Sequence, residues 1–223
     1  MARLARVIIP GHPHHVTQRG NGRARTFFDD RDYALYRDLL AENCRAADVE
    51  VWAWCLMPNH VHLILTPSDS DGLRRALARV HRSYAGIIQA RRKRTGHFWQ
   101  GRFGAVAMDE QHLAAALRYV SLNPVRARLA ERAQDWRWSS TRAHLRGTED
   151  RLTALTPIKD RFPRFAELLA SEPEADLFER LRAAESIGRP LGGDRFLARL
   201  ERLTGRELKP GKRGPKRQEA QGG

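Results

Sequence analysis

The stretch "LMPNHVHLIL" at residues 56–65 sets two imidazoles, His60 and His62, one residue apart inside an apolar run. On a strand, residues i and i+2 share a face. His60 and His62 then project together, while Val61, Leu63 and Leu65 fill the opposite side. Two imidazoles held by a pleat can bind one divalent ion. A half-buried strand with histidines on its wetter face fits the same letters. A second pair lies in "RYVSLNPVRARL", where Tyr119 and Asn123 stand at i and i+4 of a helical pattern. Both flank the inward stripe through Leu117 and Val120. Tyr119 can pack its ring there and show its hydroxyl to a cleft, and Asn123 can offer an amide oxygen to the same ion. The plainer alternative is a tyrosine at a core edge and an asparagine closing the helix before Pro124.

A scaffold for these pairs is legible around them. "HHVTQR" (14–19) followed by "GNGR" predicts a strand and a turn. Tyr36, Leu39, Leu40 and Cys44 follow helical spacing, predicting an amphipathic helix over 31–47. "VEVWAWCL" and "HVHLILTP" around "MPN" predict a hairpin. A second helix runs from the "SDSDG" turn to about residue 94, a glycine-punctuated strand covers 102–108, and a third helix starts at Asp109 and ends or kinks at Pro124. The fold class is therefore α+β, a ferredoxin-like antiparallel sheet with helices packed on one face. It occupies residues 1–130, with a helical C-terminal extension over 131–205 and a basic, disordered tail over 206–223.

The charge balance narrows the partner. Forty Lys plus Arg against 26 Asp plus Glu give +14, and nearly all the basic residues are arginine. Guanidinium groups pair bidentately with phosphate and stack on bases, so nucleic acid is the expected partner. Only Cys44 and Cys55 are present, without CxxC spacing, which excludes a thiolate zinc site or disulfide framework and suits a reduced, cytoplasmic protein. No apolar stretch approaches membrane-spanning length.

"LMPNHVHLIL", the "GRF" downstream and "RYVSLNPVRARL" together resemble the IS200-type Y1 tyrosine transposases, most of all the REP-associated tyrosine transposases. "PGHPHHVTQRGNGR", "WRWSS" and "GRPLGGDRFLARLERLTGRELKPGKRGPKR" are similar to that group as well. The resemblance implies that Tyr119 is the catalytic nucleophile and that His60, His62 and Asn123 hold a divalent ion, Mg²⁺ or Mn²⁺. It implies cleavage and rejoining of single-stranded DNA at hairpin-forming repeats through a 5′-phosphotyrosine. Neutral imidazole ligands would lose the ion, and with it activity, below about pH 6.5. "VSLNPVRAR" stands where the family more often has an acidic residue and a glycine, a departure that does not touch the proposed chemistry. Rival readings are a catalytically inactive binder of structured nucleic acid and a metal-dependent hydrolase. A monomer or weak homodimer is expected.

Candidate DNA contacts are Arg19, Asn21 and Arg23 after the first strand, and Arg74, Arg75, Arg79 and Arg82 along the second helix. Arg91, Arg92, Lys93 and Arg94 end that helix, and Arg102 follows the aromatic "HFW". His12, His14 and His15 are assigned surface or strand-end roles, Tyr84 is an exposed tyrosine without such neighbours, and Trp52, Trp54, Trp136 and Trp138 are packing residues. Affinity for a hairpin with a single-stranded flank should fall steeply with salt. Removing residues 206–223 should flatten that dependence yet preserve sequence preference, because tail charges position phosphates while a folded domain reads bases. Band-shift titrations at several salt concentrations, on full-length and truncated chains, check both outcomes.

Overall fold

The computed structural model describes residues 6–172 and 175–208. Strands β1 (His14–Arg19), β2 (Val49–Met57), β3 (His60–Pro67) and β4 (Gly104–Ala107) form one antiparallel sheet in the order β2-β3-β1-β4. Helix α1 (Asp30–Ala46) joins β1 to β2 and α2 (Gly72–Arg91) joins β3 to β4. The Asp29 carboxylate accepts from the amides of Arg31 and Asp32 and so caps α1. α3 (Glu110–Arg126) begins at Asp109, whose side chain caps it, and continues through Pro124.

Helices α1 and α2 pack on one sheet face against Val16, Trp54, Leu56, Val61, Leu63 and Leu65. The expectation of helices on one face only is corrected by the other side. There α3 and the C-terminal helices α5 (Thr156–Arg161), α6 (Phe165–Ala170) and α7 (Ala175–Ile187) build a second core on Trp52, Ala53, Cys55, Met57 and Ile64. The physical reason lies in β2. A bulge between Val51 and Ala53 breaks the strict alternation, so Trp52 and Ala53 both join the second core while Val51 and Trp54 stay in the first. Both faces of β2 are apolar, and both need cover.

The C-terminal segments also close the sheet at its sides. Along β2, Leu56 N–H donates to Trp138 O, Ser140 N–H to Trp54 O and Ala154 N–H to Val51 O. Along β4, Leu191 N–H donates to Ala107 O and Asp109 N–H to Leu191 O. α4 (Thr141–Arg146) and α8 (Asp194–Thr204) complete the chain. Leu208 is buried with Val7, Ile9, Ala107 and Leu200, so the first residues of the expected tail pack, while 209–223 lie outside the described residues. Trp52, Trp54 and Trp138 are buried as packing residues. Tyr84 is buried too, its hydroxyl donating to Thr26 O at 2.8 Å, which corrects the expectation of an exposed tyrosine.

Two buried histidines serve the scaffold. His14 Nε2 accepts from Ile9 N–H at 3.1 Å and Nδ1 donates to His12 O at 2.8 Å, which fixes one neutral tautomer. His81 is hydrogen-bonded to the Tyr36 hydroxyl at 3.0 Å. Burial pushes His14 down to about 4 and His81 down to about 3. An unfolded chain takes up these protons below about pH 6.5 while the folded chain does not, so their contribution is full above that value and declines toward the folded pKa. Each unit is worth about 1.4 kcal/mol. Urea unfolding at pH 7.5 and pH 4.5 should show stability lower at pH 4.5 by on the order of 2–3 kcal/mol per buried histidine; a flat profile contradicts this assignment.

Candidate active site

The site grows from the tip of the β2–β3 hairpin. Pro58 and Asn59 make the turn, and Met57 pairs with His60 across it. The segment after β1 is stapled onto this tip. Gly20 N–H donates to Asn59 O at 2.9 Å, while Thr26 and Phe27 N–H both donate to Pro58 O, at 2.8 and 3.1 Å. Asn59 Nδ2 donates to Arg23 O at 3.1 Å, which leaves Asn59 Oδ1 for His60 Nδ1 at 2.6 Å. An amide oxygen only accepts, so the proton sits on His60 Nδ1 and Nε2 keeps its lone pair.

Register then brings side chains together on the second face. His60 pairs with Arg19 and His62 with Thr17. The His60 and His62 rings meet edge to face at 4.8 Å between centroids. His62 is fully buried, and its ring stands at 90° to Tyr119 at 5.2 Å. Tyr119 and Asn123 come from α3, which crosses this face of the sheet. His60, Tyr119, Asn123, Arg19, Arg23 and Arg102 line one cleft of about 700 Å³, together with Thr17, Gln18 and Gln100. The two pairs that sequence spacing singled out thus meet at one cleft, His62 just beneath it.

Electrostatics at the cleft follow from burial and from arginine. Burial, then the Arg19 charge, pushes His60 down to about 3. Burial first, and the neighbours His60, His15, Arg19 and Arg126 after it, hold His62 well below 6.5. Both rings stay neutral through the physiological range, because desolvation disfavours the charged form. Guanidinium carbons of Arg126 and Arg182 lie over the Tyr119 ring, 5.2 and 5.8 Å from its centroid. Phe178 meets the same ring edge to face at 5.6 Å between centroids. Positive charge therefore lies where a phosphate approaching Tyr119 would arrive. Among the described residues no three His, Cys, Asp or Glu side chains gather as a metal site. The donors available to an ion here are the imidazole nitrogens of His60 and His62 and the amide oxygen of Asn123.

The other candidates divide. Asn21 is exposed on the rim, its N–H donating to Phe98 O at 2.9 Å. Arg74 and Arg82 line a second groove of about 810 Å³ between α2 and residues 96–103, which shares Gln18, Gly101 and Arg102 with the cleft. Arg75 is paired with Asp69, and Arg91 with the buried Asp32. Arg92 lies over Phe28 at 3.8 Å. Arg79, Lys93 and Arg94 are exposed. His15 corrects its strand-end assignment: it is buried, its Nε2 3.1 Å from His62 Nδ1 and its ring 6.0 Å from Tyr119. Arg126 was legible, since it stands on the Tyr119 and Asn123 face at i+7 and i+3. Arg182 and Phe178 carried no signal, because only the folding of α7 over α3 delivers them.

With this geometry in view, comparison with known proteins decides the kinship. Residues 11–123, half of the chain, match the family described as "Transposase IS200 like". The chain belongs to that family. The span of the match ends at Asn123 and takes in His60, His62 and Tyr119. A Haemophilus influenzae protein named as a REP-associated tyrosine transposase is 26% identical over 116 residues, which are 47% of this chain and 66% of that protein. A structure of a REP-associated tyrosine transposase bound to a REP hairpin aligns with a TM-score of 0.58 at 22% identity, covering 69% of this chain and 92% of that one. The IS200-like fold is thus shared in three dimensions.

The stapled loop makes a specific demand on Gly20. A Cβ there would lie 2.2 Å from Ala24 O and 2.8 Å from the Thr26 methyl. Gly20→Ala should cost about 1–3 kcal/mol by overpacking and loosen the Thr26 and Phe27 amides. Gly22→Ala, strained by its φ of 58° but facing open space, should leave those amides protected. Urea midpoints and amide hydrogen exchange on the two variants check this.

Proposed function

We propose that the chain cleaves and rejoins single-stranded DNA at hairpin-forming repeats, with Tyr119 as nucleophile. The observation that carries this is the meeting of Tyr119 with His60, Asn123 and four arginines in one cleft, directly over His62. The relative of known structure was bound to a REP hairpin, which supports a hairpin target. Membership of a transposase family supports strand transfer over simple hydrolysis.

The phosphodiester enters the cleft lined by Arg19, Arg23, Arg102 and Arg182, with the Arg126 guanidinium over the Tyr119 ring. Their charge offsets the phosphate charge that would otherwise repel a nucleophile. The Tyr119 oxygen attacks phosphorus, its proton passing to solvent in the cleft. The bond from phosphorus to the 3′-oxygen breaks, and that oxygen takes up a proton. The product is a 5′-phosphotyrosine and a free 3′-hydroxyl. Attack by a 3′-hydroxyl on this ester reseals a strand without ATP, because the phosphotyrosine conserves the bond energy. The scissile nucleotide must be unpaired to reach Tyr119, whose ring is nearly buried. His60, His62 and Asn123 would hold Mg²⁺ or Mn²⁺, which would supply further neutralisation of the phosphate charge. Among the described residues no helix is long and apolar enough to cross a membrane. Cys44 and Cys55 are free and buried, in keeping with a reduced, cytoplasmic setting.

Tyr119→Phe should abolish nicking of a hairpin with a single-stranded flank while leaving its band-shift affinity within about threefold, since the ring still packs on His62. Denaturing gels of 5′- and 3′-labelled substrate should show a protein-linked 5′ end with the native chain and none with the variant. Native levels of nicking by Tyr119→Phe would remove Tyr119 from the chemistry.

A further inference from the structure

His15 is the one buried histidine at the site that neither pair includes. We propose that His15 is a positioning residue that holds the His62 proton on Nδ1 and so leaves Nε2 with its lone pair, an inference that rests on reading His60 and His62 as metal ligands. The contact is specific: His15 Nε2 lies 3.1 Å from His62 Nδ1, with the rings inclined by only 13°. Burial pushes His15 down to about 4 and holds His62 well below 6.5, so at neutral pH each ring carries one N–H and one lone pair. A single proton therefore occupies the space between Nε2 and Nδ1, and it belongs to one ring or the other.

The two arrangements differ in what they offer the cleft. If His15 donates, His62 carries its own proton on Nε2 and has no lone pair for a cation. If His62 donates from Nδ1, its Nε2 becomes a ligand. His60 is already fixed in that second form by Asn59, whose amide oxygen can only accept from Nδ1. His15 is the counterpart of Asn59 one ligand further in, with one difference: it can take either role. Its Nδ1 is buried and has no hydrogen-bond partner among the described residues. Without a cation either arrangement is open to the pair. A cation held by His60 and His62 would select the one in which His62 donates from Nδ1 and His15 Nε2 accepts, the His15 proton then standing on Nδ1. His15 does not itself complete the ligand set, because its Nε2 is engaged with His62 Nδ1. It acts through His62, as outer partners of ligating imidazoles do. The same ring stands edge-on to Tyr119 at 77°, so it also buttresses the nucleophile's face of the cluster.

The experiment uses the full chain without DNA and Mn²⁺ or Mg²⁺ alone as the probe. His15→Phe keeps a flat ring but removes the hydrogen bond; His15→Gln keeps a group that donates or accepts. Calorimetric Mn²⁺ affinity should fall about 10- to 100-fold in His15→Phe and recover to within a few-fold of the native value in His15→Gln. Long-range nitrogen–proton spectra of the unsubstituted protein, labelled at histidine nitrogens, supply a readout that needs no variant to fold. With Mg²⁺ bound, His62 should carry its proton on Nδ1, as His60 does. Native Mn²⁺ affinity in a folded His15→Phe, or a His62 that carries its proton on Nε2 with Mg²⁺ bound, overturns the positioning role. His62→Ala separates the two levels: if it binds Mn²⁺ as the native chain does, the ligand reading falls and this inference with it. If only His62→Ala weakens binding, the ligands stand and His15 does not.

Discussion

Everything at the site depends on where β3 begins. The carbonyls of Pro58 and Asn59 accept three backbone N–H groups from the segment after β1, and the Asn59 side chain bonds to a fourth backbone group. A strand has a side-chain period of two, so a slip of one residue would send His60 and His62 into the α1–α2 core and Val61 to the cleft. The staple and the apolar demand of both cores forbid that slip. It also explains why Gly20 has no Cβ: the loop turns back so tightly that its own carbonyl occupies the space.

The second constraint is desolvation. His15 and His62 are completely covered, and His60 is largely so. Water would otherwise compete for every nitrogen and level the difference between tautomers. The cluster is thus neutral at its base and cationic at its mouth, where Arg19, Arg23, Arg102 and Arg182 line the cleft. That gradient suits an anion which must approach closely but not sink in.

Much of this was legible in the sequence, for identifiable reasons. Periodicity placed α1, α2, the β2–β3 hairpin and the Asp109 start of α3, because each is driven by local patterning and a cap. The pairs His60 with His62 and Tyr119 with Asn123 were found because strand and helix periods alone put each pair on one face. What brings the two pairs together is the packing of α3 on the sheet, which no single segment encodes. The bulge at Trp52 escaped notice, since "VEVWAWCL" alternates well enough on paper. His15 was misassigned because the register of β1 against β3 is a tertiary fact: only the pairing of His15 with Ile64 and Thr17 with His62 puts the ring beside its partner. Arginines chosen by composition proved mixed, with Arg75 and Arg91 engaged by Asp69 and Asp32.

The backbone bonds that residues 138–154 and 191 make along β2 and β4 bear on how copies of this chain can meet. A bare outer strand is a template onto which another strand can add. Here the outward N–H and C=O groups at Val51, Trp54, Leu56 and Ala107 are already satisfied from within the same molecule. Along these stretches two sheets cannot fuse into a continuous ladder, whatever the concentration. Self-association of folded copies through the sheet would first have to strip away part of the C-terminal extension, and that requirement guards a chain with so apolar a hairpin against fibrous aggregation.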